Sequence, residues 1–213
     1  MHRDIEFNQI KASDLGVYLK GYPSVPASSE DETKIEIEMN YRSESSEKWM
    51  EQWRVIQKWL SAKNKKLVFS DDPECFYKVS EVTIGENNRE SRRIGSFMAT
   101  FVLQDGMSYL QDGLKEYSVV EVLWNSYGIA HPVYKIRGNG TCALSVNGNL
   151  LKATVKDEII IDTDRMLAYQ SNGMLKNTSI SGDYEEMYLL EGENEITITQ
   201  GFDLKIQPNW RYT

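Results

Sequence analysis

Residues 46–60 read SEKWMEQWRVIQKWL, and this stretch sets how the rest of the chain is read. Trp49, Trp53, Ile56 and Leu60 recur at i, i+4, i+7 and i+11, one stripe on a 3.6-residue repeat. Met50 and Trp59 widen the stripe, while Glu47, Glu51, Gln52, Arg54 and Lys58 take the other positions. The spacing predicts one amphipathic helix over residues 46–62. Ser43, Ser45 or Ser46 can supply an N-cap oxygen, with Glu44 and Glu47 beside the first turn. Lys63, Lys65 and Lys66 suit the negative end of the helix dipole, and Asn64 suits a left-handed C-terminal residue. Three tryptophans on one helix need a broad apolar partner, and strands on either side can provide it.

Upstream, residues 5–7 and 15–19 read as short strands. Residues 21–32 combine two prolines with small and acidic side chains and predict an exposed loop or arm. Lys34–Arg42 alternates, with Ile35, Ile37, Met39 and Tyr41 on one face, so a half-buried strand runs into the helix. Downstream, residues 67–69 form a short strand ended by Ser70-Asp71-Asp72-Pro73. Phe76–Ile84 and Ile94–Leu103 predict a hairpin around the polar loop 85–93. The second of these is expected to be central, with apolar residues on both faces. Arg89, Arg92 and Arg93 crowd that loop, either as a solvated patch or as contacts for an acidic partner.

Gln104–Glu116, with Asp105-Gly106 and Asp112-Gly113, is the expected domain boundary. Short strands follow at 117–124, 133–136, 141–146, 149–155, 158–162, 166–170, 186–190, 195–199 and 204–207. Asn147-Gly148 is a two-residue hairpin turn that pairs Leu144 with Leu151 and Cys142 with Ala153. The fold class is therefore mainly β. An N-terminal β-sandwich or barrel-like domain with one helix occupies residues 1–113, and a galectin-like or jelly-roll β-sandwich occupies residues 114–213.

Composition narrows function. Net charge is −8, from 24 basic and 32 acidic side chains, and the parts on either side of Gly113 carry −4 each. Neither part is a basic module that would grip phosphates. No apolar run approaches the roughly 20 residues that a membrane-spanning helix needs, and the N-terminus lacks the apolar core of a secretory signal. Cys75 and Cys142 are expected to be buried free thiols. His2 and His131 are too few for a histidine-based metal site. Asp162 and Asp164 lie two apart, but no oxygen-rich loop with calcium spacing follows them. There is no nucleophile elbow, phosphate-binding glycine loop, HExxH or CxxC, so no enzyme and no cofactor are expected. A sandwich can also bind sugars through exposed aromatics. Trp124, Tyr127, Tyr134, Tyr169, Tyr184, Tyr188, Trp210 and Tyr212 form the pool, most of them expected in the core or at a domain interface.

Several stretches resemble the distal tail protein (Dit) family of long-tailed phages, part of the siphovirus tail-component family. Leu67-Val68-Phe69-Ser70-Asp71-Asp72-Pro73 with Tyr77 is similar to the strand and turn after that family's single helix. Asp105 and Tyr109 sit where the first domain ends, and Asn125-x-x-Gly128-x-x-x-Pro132 where the second begins. Asn147-Gly148, Ile161-Asp162, Leu190-Glu191-Gly192-Glu193-Asn194-Glu195-Ile196 and Pro208-Asn209-Trp210-Arg211 resemble its galectin-like sandwich. Each motif is weak alone; their order carries the resemblance.

The resemblance implies a structural protein of the virion tail tip, assembled in the host bacterial cytoplasm. It implies a homo-hexameric ring whose N-terminal domains surround the DNA channel, with DNA passing through unbound and no membrane insertion. Implied partners are the tail tube protein, the tail-associated hub or lysin protein and receptor-binding baseplate proteins. It also implies an arm, including Tyr22, Pro23, Val25 and Pro26, that embraces a neighbouring subunit. Pro26–Thr33 is shorter and more acidic than the glycine-containing stretch usual there, which bears on the arm's form. The rival readings are a carbohydrate-binding β-sandwich module and a glycan-active enzyme.

Overall fold

The computed structural model describes residues 3–21, 23, 33–61, 65–118 and 121–212. Two curled antiparallel sheets and one α-helix make up the fold, so the chain is mainly β as its sequence predicts. It divides into two compact units, Met1–Ser108 and Tyr109–Thr213.

The first unit contains β1 (Ile5–Phe7), β2 (Ile10–Lys11), β3 (Val17–Leu19), β4 (Lys34–Arg42), α1 (Trp49–Leu60), β5 (Lys66–Phe69), β6 (Asp72–Ile84), β7 (Asn88–Arg89) and most of β8 (Ile94–Leu110). Its sheet runs β2-β1-β5-β6-β8-β4-β3, with β7 paired to β8. β4 buries Ile35, Ile37, Met39 and Tyr41 and pairs with β8 from Lys34↔Val102 to Arg42↔Ile94. α1 lays Trp49, Trp53, Ile56, Trp59 and Leu60 on that face. Tyr41 stacks on Trp49 and Trp53, and Trp53 meets Phe97 edge-on at 5.1 Å. The buried Trp59 indole donates to the Phe7 carbonyl at 2.8 Å, which fixes the helix over β1.

Some local expectations need correction. The helix starts at Trp49, and no side-chain oxygen caps it. Ser45 Oγ instead accepts from the Lys48 N–H at 3.4 Å, within the turn that precedes the helix. Met50 is exposed and lies off the stripe. Asn64 and Lys63 lie outside the described residues. β8 is central, as expected, but its second face is only partly covered: Val102 is buried while Ile94 and Met98 are exposed. The Asp105-Gly106 stretch is strand rather than linker. Gly106 keeps β8 going with φ +70, where a Cβ would sit 2.8 Å from Thr33 Oγ1.

The second unit begins with the last two residues of β8 and adds β9 (Tyr117–Ser118), β10 (Val122–Asn125), β11 (Val133–Val146), β12 (Asn149–Asp162), β13 (Leu167–Tyr169), β14 (Ile180–Ser181), β15 (Gly192–Ile198), β16 (Asp203–Gln207) and β17 (Arg211–Tyr212). The sheet runs β10-β15-β11-β12-β13; β14 pairs with β12, β16 with β11, and β9 with β16. Asn147 (φ 52) and Gly148 (φ 86) make the turn between β11 and β12, and the register pairs Leu144 with Leu151 and Cys142 with Ala153.

The hairpin is longer than its sequence suggests. Pairing runs unbroken from Val146↔Asn149 to Val133↔Asp162, through Arg137-Gly138-Asn139-Gly140, which the sequence pattern leaves between two separate strands. A Cβ on Gly138 would lie 2.4 Å from the Phe202 ring, so glycine there lets the aromatic close over the strand. Residues 186–190 are not a strand. A 3₁₀ turn at Glu185–Met187 buries Met187, and Leu189 bridges Ala130.

Candidate functional site

Of the expected arm residues, Tyr22, Val25 and Pro26 lie outside the described residues, while Pro23 is half-buried. The three arginines have different roles. Arg89, on β7, donates to the carbonyls of Ser91, Arg92 and Ser46, and its guanidinium lies 4.9 Å over the Trp49 ring. Arg93 Nε donates to the Ser43 carbonyl at 3.0 Å. Both thus brace residues 43–46, the approach to α1. Arg92 is exposed, and only its backbone carbonyl enters this network.

In the second unit, the ionisable groups that come together are pinned to one another. His131 Nδ1 lies 2.9 Å from Asp164 Oδ1, and His131 Nε2 lies 2.7 Å from Arg211 Nη2. A guanidinium can only donate, so Nε2 accepts and the ring proton sits on Nδ1, facing Asp164. Tyr188 stacks on the imidazole at 3.9 Å. Arg211, itself buried, also donates to the Ile129 carbonyl and to Tyr109 Oη. Both imidazole nitrogens are therefore occupied, and the cluster fastens β17 to residues 129–131. Asp162 accepts the Arg165 N–H at 3.1 Å. Among the described residues, no group of three or more His, Cys, Asp or Glu side chains is placed to hold a metal. Cys75 and Cys142 are buried free thiols, and burial pushes both thiol pKa values up.

The outer sheet face around β11, β12 and β16 is charged but internally paired. Glu116 takes Lys135 and Lys205, and Arg137 approaches Glu158 at 4.0 Å. Hydrogen bonds from the Ser171 hydroxyl and from its N–H hold the Glu158 carboxyl below its usual range.

Two fully buried asparagines, Asn125 and Asn194, organise the opposite edge of the sheet. Asn125 Nδ2 donates to the carbonyls of Gly128, Leu189 and Leu190, and its Oδ1 accepts the Tyr127 N–H. Asn194 Nδ2 donates to the carbonyls of Leu123, Leu190 and Gly192, and its Oδ1 accepts from Leu190 N–H and Asn147 Nδ2. Together they fix β10 against β15 and the loop before it. Of the aromatic pool, Tyr134 and Trp210 are buried, while Trp124 on β10 is the most open at 64% exposed. The sequence marks Asn125, Asn194 and Arg211 only as parts of motifs. Their bonds show why such polar residues stand at those points.

No protein-family model matches the chain, and a comparison with curated proteins finds no match. Among solved structures, SPP1 Dit (gp 19.1), described as a paradigm of the hub adsorption apparatus in phages infecting Gram-positive hosts, matches with a TM-score of 0.66. The match covers 100% of this chain and 100% of that one, at 11% sequence identity. The fold is that of SPP1 Dit. The resemblance read from the sequence thus holds end to end as a fold, through both units.

Proposed function

We propose that this protein is a distal tail hub, a structural component of a phage tail tip. The observation that carries this reading is the end-to-end correspondence with the SPP1 hub protein, with neither chain left over. The N-terminal domain, residues 1–113, forms a homo-hexameric ring around the DNA channel, and the C-terminal galectin-like sandwich, residues 114–213, projects outward. The ring joins the tail tube protein on one face to the tail-associated hub or lysin protein on the other, and receptor-binding baseplate proteins attach around it. It assembles in the host bacterial cytoplasm and remains in the virion.

Physical arguments support the ring and its contacts. Head-to-tail contacts between identical chains close into a ring when the rotation closes. A net charge of −8 suits a lumen through which DNA slides without sticking. The arm around Tyr22, Pro23, Val25 and Pro26 reaches a neighbouring subunit, and Arg92 at its loop tip is available to an acidic partner. Size-exclusion chromatography with light scattering, followed by negative-stain imaging, tests the reading. Hexameric rings, alone or on adding the tail tube protein, are expected. A monomer under all these conditions, with saturable affinity for a saccharide, would replace it with a carbohydrate-binding module.

A further inference from the structure

β10 is an edge strand whose sole partner strand among the described residues is β15, from Val122↔Glu195 to Asn125↔Gly192. Ile196 N–H donates to the Glu121 carbonyl at 2.9 Å. In an antiparallel ladder, residues 121, 123 and 125 therefore turn their backbone groups toward β15. Val122 and Trp124 turn theirs toward the open edge. The side chains of these same two residues are also exposed, at 44% and 64%. Unpaired backbone and bare apolar side chains on one short strand form a template for another strand.

The surrounding charge says what kind of strand. Glu195 and Glu193 lie directly opposite Val122 and Trp124, and Glu121 and Glu191 flank them. All four glutamates are exposed, and none forms an ion pair among the described residues. Residues 121–125 and 190–196 contain no lysine or arginine. A second copy pairing β10 to β10 would bring eight like charges together, counting four glutamates per copy, and like charges across strands repel. Asn125 and Asn194 hold the strand rigid beforehand, so little ordering is left for binding.

We propose that β10 is a docking edge for an extended segment of another protein that carries lysine or arginine at alternate positions. The segment pairs its backbone with Val122 and Trp124. It sets its cations over Glu193 and Glu195, with their aliphatic stems laid against the Trp124 indole. This inference goes beyond the hub reading, since it concerns one subunit's surface and stands whether or not a ring forms.

The test is fluorescence anisotropy on the full chain with a labelled peptide of alternating lysine and valine, against the same peptide with glutamate for lysine. Saturable binding of the basic peptide alone is expected, weakening several-fold as salt rises. Val122→Pro removes an outward N–H and leaves the β15 side of the ladder intact, so it weakens binding about tenfold. Trp124→Lys keeps every backbone donor but sets a cation where the incoming cations lie, and it weakens binding similarly. The paired changes Glu193→Gln and Glu195→Gln remove most of the salt dependence. Basic-peptide binding that is indifferent to both Val122→Pro and Trp124→Lys would overturn the proposal, as would no binding up to about 1 mM. A soluble oligosaccharide whose binding is lost in Trp124→Ala but kept in Val122→Pro, with no peptide binding, would replace it with a stacking platform for sugar.

Discussion

Replacing Trp53 by alanine removes the centre of the first unit's aromatic cluster. Trp53 is 7% exposed, lies 5.9 Å from the Tyr41 ring with 24° between planes, and meets Phe97 at 5.1 Å and 68°. An indole buries roughly 200 Å², worth about 5 kcal/mol at about 25 cal/mol per Å². Each aromatic pair adds about 0.5–1.5 kcal/mol. Residual burial in the unfolded chain takes part of this back, and measured losses for Trp→Ala run about 3–5 kcal/mol. A loss of about 4 kcal/mol is expected, a large share of the roughly 5–15 kcal/mol that holds a domain together. With a urea slope of about 2 kcal/mol per M, the midpoint of the first unit falls by about 2 M. Equilibrium urea unfolding, followed by circular dichroism and fitted to two transitions, reads the shift. Ile56→Ala serves as a second probe, since Ile56 is fully buried on the same face. Unchanged midpoints in both variants would refute the core assignment of the stripe.

Tyr134→Phe is expected to cost the second unit about 1–3 kcal/mol, because the buried hydroxyl donates to the Met187 carbonyl at 2.7 Å and phenylalanine strands that acceptor; an unchanged melting temperature would count against it. Asn194→Ala is expected to raise hydrogen exchange across residues 122–125 and 190–196, since three carbonyls and two donors lose their partner. Protection equal to that of the native protein would show that the network is dispensable. Hydrogen bonds from Ser46 and Ser45 pull the Glu47 carboxyl down to about 2. The pKa is depressed in the folded state, so its contribution is full above the ordinary value of 4.5 and is lost as pH falls through about 2. Glu47→Gln should flatten that part of the acid-unfolding profile, and superimposable profiles would refute the bond.

What the sequence reveals depends on whether burial imposes a period. β4, the α1 stripe and the Asn147-Gly148 hairpin are legible because one face of each is buried and the residue pattern follows. Arg137-Gly138-Asn139-Gly140 misleads, since glycines placed for the Phe202 ring and for positive φ look like turn residues. Residues 186–190 mislead in the other direction, because isolated buried residues such as Met187 and Leu189 mimic strand alternation without a ladder. Arg89, Arg92 and Arg93 are legible as a loop-tip cluster, but not that two of them fold back toward α1. Asn125 is the harder case. A polar side chain in a strand reads as solvent-facing, and the carbonyls that bury it lie 64 and 65 positions away.

The way the two sheets end explains why β10 stands apart. An unpaired edge invites any passing strand, and proteins limit the risk by keeping edges short, covered or charged. In the first unit β2 has two residues and β3 has three. In the second unit β9 and β14 have two each, and Leu175 bridges the three-residue β13 at Tyr169. β10 has four residues, carries exposed Val122 and Trp124, and is held in place by Asn125 and Asn194. Its protection is charge alone. Glutamates on and beside the strand repel another copy of the same edge, and the same glutamates attract a basic one. An edge built only to stay unpaired would need neither a rigid mount nor an exposed indole. Both make sense where the chain rejects itself and accepts something else.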